Sequence, residues 1–321
     1  PPRSTLFPYT TLFRSYVEVR FAPQLHMRPD FTFEEVMAAV DRGMRKARDE
    51  INAGIDPEDP PFEYGIIVCA MRFFNSHFSR YYKNFAEVHP YSTPLEIIQM
   101  AGLELAKAAV KLQNETDIQV VAFDLAGSEY GYPASTHEES YSYVTKNFMR
   151  KTVHAGEAYG PESIFQAITK LHADRIGHGL HMFDESMIRK ESVTDRRAYI
   201  ENLVNYIAEN RITIEVCLTS NLQTSPHIRS IRDHSLGKML EKRLSVSFCT
   251  DNRLVSHTTV CGEYRLALDN FLIPPGRLKD IIVYGFKRSF YYRPYTEKRA
   301  YVRRVINFYE KIEKKYGLVP A

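Results

Sequence analysis

Two imidazoles and two carboxyl groups stand out for the strings that carry them: His154 and Glu157 in HAGE, His178 in GHG and Asp251 in CTDN. Each follows a short apolar run, KTV, DRI or LSVSF. An imidazole with a carboxyl three residues on, a second imidazole and an aspartate make a set able to activate a water on a metal and to shuttle its proton. Other strand-like runs also end in polar or small residues: Arg20 after YVEV, Gly127 after the run IQVVAFDLA, and Glu215 within IEVC.

Such a set works only if distant loops meet, so the positioning elements matter. Runs rich in β-branched residues alternate with segments of helical period, the pattern of repeated βα units around a parallel sheet. The candidate strands are Tyr16 to Arg20, Tyr64 to Arg72, Ile118 to Asp124, Lys151 to His154, Asp174 to Gly177, Ile212 to Cys217 and Leu244 to Thr250. Between them, Thr32 with Glu35 spells a capping box that opens a helix with the face Val36, Ala39, Val40, Gly43 and Met44. Ile98, Ala101, Leu105, Ala109 and Leu112 mark a second helix, and Pro161 suits the first turn of another. Two helices close the chain, Leu278 to Ser289 and Thr296 to Tyr316, the latter with Val302, Val305, Tyr309, Ile312 and Tyr316 as one stripe. No glycine-rich dinucleotide turn follows a strand and no Pro/Gly/Ser linker divides the chain. The expected fold is therefore α/β, a (β/α)8 TIM-type barrel in which seven strands are recognisable and the first native strand is missing. In such a barrel the strand ends converge on one face, where the chemistry sits.

Composition narrows the class. The chain has 321 residues, 42 basic and 39 acidic, for a formal charge of +3, which calls for no nucleic-acid partner. Its four cysteines (Cys69, Cys217, Cys249, Cys261) are widely spaced and form no C-x-x-C, which fits a reducing, cytoplasmic setting. No apolar run approaches the roughly 20 residues of a membrane span, so no membrane partner is expected. No feature sets an oligomeric state. The segment TLFPYTTLFRS, Thr5 to Ser15, reads as a translated sequencing adapter, and residues 1–15 are expected to be a non-native leader ahead of an incomplete (β/α)8 domain with C-terminal helices at 16–321.

The strings VVAFDLAG, TVHAGE, DRIGHG, IEVCLTSN and SFCTDNRLVS occur in the order and spacing of the adenosine deaminase family, and YVEVRFAP resembles its second strand. The resemblance runs from Tyr16 to about Asn270. It implies a zinc hydrolase of the amidohydrolase type, with His154 and Asp251 as metal ligands and Glu157 as the acid that protonates the purine ring. It further implies that His178 orients and deprotonates the metal-bound water, that the Gly127 N–H meets the purine, and that Asn252 meets its imidazole side. Zinc would bring the pKa of bound water from about 15.7 towards 7.

Two departures from the family pattern follow. Asn252 stands where many members carry a second Asp, and an amide offers the purine either a donor or an acceptor. No H-x-H occurs among the eleven histidines, whereas the family takes two zinc ligands from such a motif on its first strand. A hydrolytic zinc site usually has three or more protein ligands, so this chain is expected to hold zinc poorly and to be inactive as it stands. Plainer readings sit beside these roles. His178 could serve a Gly-His-Gly turn, Gly127 a strand-end turn, Asn252 a helix cap, and Arg20 with Glu215 an ion pair inside the barrel. The basic, aromatic run from Lys287 to Arg304 reads as a solvated face over a packed stripe rather than a stacking surface for RNA.

The expectation is thus zinc-dependent hydrolysis of adenosine or deoxyadenosine to inosine or deoxyinosine and ammonia in the parent protein, with a purine nucleoside as the binding partner. Deamination of adenine or AMP, and a non-catalytic purine-binding protein, are the rival readings.

Overall fold

The computed structural model describes residues 15–317. Seven parallel strands lie in the order in which the chain supplies them: β1 (Tyr16–Phe21), β2 (Glu63–Met71), β3 (Val120–Ala126), β4 (Arg150–Ala155), β5 (Arg175–His178), β6 (Thr213–Val216) and β7 (Val246–Phe248). All seven expected strands form, with ends displaced by one or a few residues. Every neighbouring pair is parallel, so all C-terminal ends share one rim. This is the (β/α)8 plan with seven strands among the described residues. The expected leader at residues 1–14 lies outside the described residues. Ser15, the last residue of that expected leader, is packed, its carbonyl accepting from the Tyr301 hydroxyl at 2.5 Å and from Glu63 N at 2.9 Å.

Helices between the strands and after the last of them flank the sheet. They are α1 (Phe33–Asn52), α2 (Arg80–Glu87), α3 (Pro94–Glu115), α4 (Glu138–Lys146), α5 (Pro161–Thr169), α6 (Arg196–Glu209), α7 (Leu218–Thr224), α8 (Leu236–Glu241), α9 (Arg253–Ser256), α10 (Val260–Asn270), α11 (Pro275–Arg288) and α12 (Tyr295–Lys315). Thr32 and Glu35 form the expected capping box, satisfying two backbone donors at the start of α1. The buried face of α1 is turned from the expected one: Phe33, Val36, Met37 and Asp41 are covered and Gly43 is exposed. The cause is Asp41, which accepts from the buried Tyr64 hydroxyl at 2.7 Å and pairs with Arg45. Helix α3 buries all five residues of its expected stripe. In α12 the stripe holds through Ile312, but Tyr316 is exposed.

The core runs between this helical layer and the strands, with Ile66, Val68, Phe123, Val153, Ile176, Ile214 and Val246 buried. The segment between α11 and α12 closes the N-terminal end of the sheet. There Phe290 is buried, its N–H donates to Glu18, its carbonyl accepts from Tyr16 at 2.8 Å, and Arg175 lies 3.6 Å over its ring. Tyr291 stacks on Tyr301 at 5.0 Å. The basic-aromatic run therefore packs Phe290, Tyr291 and Tyr301 inward, the plainer of its two readings, while Tyr295 stays exposed. Cys69, Cys217 and Cys249 carry free thiols. Among the described residues no helix is long and apolar enough to cross a membrane.

Candidate active site

The loop after β4 is built around a residue far from it in sequence. Glu129, following β3, is buried and accepts hydrogen bonds from four successive backbone N–H groups, those of Gly156, Glu157, Ala158 and Tyr159, at 2.7–3.0 Å. The Ser163 hydroxyl donates a fifth at 2.6 Å. Converging amides of this kind form a cradle for a negative charge. Arg72, itself buried, stands 4.0 Å away and donates to the carbonyls of Tyr132 and His154. The main chain at Glu157 is thereby fixed, while its carboxyl group reaches the half-open site. One of its oxygens accepts from Thr224 Oγ1 at 3.3 Å, and the other stands 3.6 Å from His178 Nε2.

His154 sits one residue before the end of β4, with its Nδ1 3.0 Å from a carboxylate oxygen of the fully buried Asp124 in β3. Burial opposes charge on both groups, yet the pairing outweighs it: Asp124 is held well below the usual carboxylate range, helped by Arg20, and His154 is raised. Behind this pair runs a chain of alternating charge. Arg20 meets Asp124 at 3.3 Å and Glu215 at 2.6 Å; Arg175 meets Glu215 at 2.8 Å and Glu18 at 2.5 Å. The plain reading of Arg20 and Glu215 as an interior ion pair is the one observed. Gly177 lets β5 lie against His154, since a Cβ there would come within 3.2 Å of the His154 Cα.

His178 ends β5 in a left-handed conformation (φ 65°) that turns its ring under the rim, and it is almost fully buried. Its ring centre is 5.2 Å from that of His154. Burial lowers its basicity, an effect that Glu157 partly offsets and His154 reinforces. Asp251, also left-handed (φ 52°), follows β7 and accepts from Ser220 Oγ of α7 at 2.7 Å. Burial would raise its pKa, but the Ser220 hydroxyl and the positive side of His178 and His154 hold it below the ordinary value.

Gly127 directly follows β3 with φ 106°, a backbone that L side chains rarely adopt, and it is exposed at the rim. Asn252 caps α9, its Oδ1 accepting from Val255 N at 3.3 Å, so its amide nitrogen is the atom left to face a ligand. The structure thus brings His154, Glu157, His178 and Asp251 into mutual electrostatic range and sets Gly127 and Asn252 on the same rim.

Sequence reasoning marked Asp124 as the end of its strand without giving it a role, and passed over Glu129, Ser220 and Asn221, the other residues that hold these groups. The only available signal was the acidic residue two positions after Gly127 in DLAGSE. His154 keeps Nε2 for a ligand once Nδ1 is engaged by Asp124, and Asp251 keeps one oxygen once the other accepts from Ser220. That makes two donors, and among the described residues no group of three or more His, Cys, Asp or Glu side chains gathers as a metal site. These residues do not by themselves fit a catalytic zinc.

A family model described as adenosine deaminase matches residues 13–308. Adenosine deaminase 1 of Streptomyces coelicolor is 31% identical over 295 residues, an alignment covering 91% of this chain and 64% of that protein. Among solved structures, an amidohydrolase from Burkholderia ambifaria with bound Zn superposes with a TM-score of 0.69 at 16% identity, over 97% of this chain and 74% of that one. Adenine deaminase from Arthrobacter aurescens does so with a TM-score of 0.68 at 16% identity, over 94% of this chain and 77% of its own. These two superpositions establish a shared fold.

Proposed function

Since this chain belongs to the adenosine deaminase family, we propose that it serves the hydrolytic deamination of adenosine or deoxyadenosine to inosine or deoxyinosine and ammonia. The observation that carries this reading is the meeting of Glu157 and His178 at 3.6 Å beside His154 and Asp251 on one strand-end rim. Glu157 is the group for a purine ring nitrogen: protonating that nitrogen interrupts the aromatic delocalisation and opens the adjacent carbon to water. His178 faces the incoming water. The Gly127 N–H and the Asn252 amide nitrogen are the base's polar contacts in a site that needs few of them.

Zinc belongs to this reading as the cofactor, with His154 and Asp251 as its ligands in this chain. Two donors are fewer than such a site needs, so the chain alone is expected to hold zinc weakly and to turn over little. The donor deficit also favours a second reading, a purine-binding protein without catalysis. The thiols of Cys69, Cys217 and Cys249 support a reducing, cytoplasmic setting.

The test is calorimetric titration of the chain with adenosine, adenine and AMP, followed by zinc loading, metal analysis and an ammonia-release assay on each. Saturable adenosine binding with ammonia release on zinc loading supports the proposal. Binding with stoichiometric zinc and no release favours the non-catalytic reading. Preference for adenine or AMP moves the substrate, and no purine binding at all overturns it.

A further inference from the structure

Beneath His178 lies a buried relay of polar side chains that the proposed chemistry does not use. The backbone N–H of Leu236 donates to His234 Nδ1 at 3.0 Å; His234 Nε2 lies 3.2 Å from Asn221 Oδ1; Asn221 Nδ2 lies 3.0 Å from His178 Nδ1. His234, Asn221 and His178 are each at most 3% exposed, so no water stands in for a missing partner.

We infer that this relay fixes which ring nitrogen of His178 carries the proton, presenting Nε2–H at the site as a donor with no lone pair there to accept one. A backbone amide can only donate, so His234 Nδ1 must be the acceptor and the ring's single proton must sit on Nε2. Burial lowers His234 to about 4, which keeps the ring neutral near pH 7. Its Nε2–H then donates to the Asn221 carbonyl oxygen, which turns the Asn221 amide N–H towards His178 Nδ1. That nitrogen accepts, and the proton of the neutral His178 ring is on Nε2. Flipping the Asn221 amide would bring two N–H donors face to face in a dry interior, which the Leu236 amide gives no means to relieve.

Asn221 and His234 are thus positioning residues. Under the proposed function, on which this consequence rests, His178 gives a hydrogen bond to the oxygen of the incoming water rather than taking its proton. The deprotonating role read for His178 from the sequence needs the opposite tautomer.

The protonated nitrogen is read directly by long-range 1H–15N correlation spectra of the full chain carrying 15N-histidine at pH 7.5, with His178 assigned by its loss in His178→Gln. The expected result is a protonated Nε2 and an unprotonated, hydrogen-bonded Nδ1. Asn221→Asp replaces the amide donor by an acceptor and should reverse the two resonances. A proton on Nδ1 in the unaltered chain, an average of the two forms, or an Asn221→Asp protein that folds and keeps its proton on Nε2 would each overturn the inference. Should that variant fail to fold, the spectrum of the unaltered chain decides. The measurement uses neither purine nor zinc, so failure of the deaminase reading would leave the tautomer result standing.

Discussion

The two ends of the sheet share one chain of charges and use it differently. At the N-terminal floor, Arg175 is sandwiched between Glu18 and Glu215, covered by Phe290, and every charge has its partner at close range. At the C-terminal rim, the same chain ends in Asp124 and His154, and beyond them Glu157 and Asp251 retain open faces. Both ends carry ionisable groups that the core would not otherwise tolerate. The floor sets its guanidinium between two carboxylates and so contributes rigidity; the rim leaves carboxyl faces open, where a ligand can complete the set.

Substitutions can separate the two roles. Under the proposed function, Glu157→Gln should abolish whatever ammonia release the zinc-loaded chain shows, since loss of a general acid costs about 10²–10⁴ in rate. Its urea midpoint should stay put, because the loop is held through its backbone by Glu129. A parallel loss of stability would erase the distinction drawn here. Arg175→Met should do the reverse, costing about 3–5 kcal/mol in urea unfolding by taking the guanidinium from Glu18 and leaving the buried Glu215 with Arg20 alone. An unchanged midpoint would mean that the floor is not a rigid element.

Acid should test the layer beneath the rim. His234 and His137 are both buried and held at about 4, below the ordinary imidazole value of 6.5. A base whose folded pKa is depressed gives full stability above the unfolded value, and that stability is lost as pH falls from about 6.5 towards 4. Unfolding midpoints at pH 7.5 and 4.5 should differ by about 2 kcal/mol for each histidine, and His137→Leu should remove one share. A flat profile would contradict burial of the neutral rings.

The smallest effect concerns the turns that feed the strands. Phe148, His172, Arg211 and Arg243 each hold a positive φ of 51–59° two or three residues before β4, β5, β6 and β7. Arg243→Gly relieves that backbone and should gain at most about 1 kcal/mol by thermal melting. A loss would show that the Arg243 side chain matters more than its backbone.

The strands were legible because apolar, β-branched runs leave few alternatives, and α3 was legible because its stripe has one period throughout. The face of α1 was not, since one acidic residue, Asp41, turns inward to meet Tyr64 of β2. The site divides along the same line. Motif residues at strand ends mark themselves locally, whereas Glu129 holds a loop about thirty positions on, Asn221 meets a ring 43 positions back, and Ser220 meets Asp251 at a separation of 31. Such pairings leave no periodic trace; only the folded sheet brings them together.

The grip of Glu129 has an evolutionary corollary. It takes hold of peptide groups, which every amino acid except proline supplies, so the cradle that places the Glu157 main chain draws on no side chain of Ala158 or Tyr159. A proline at either position would remove one donor from the cradle, and that is the change a long history of substitution should have avoided.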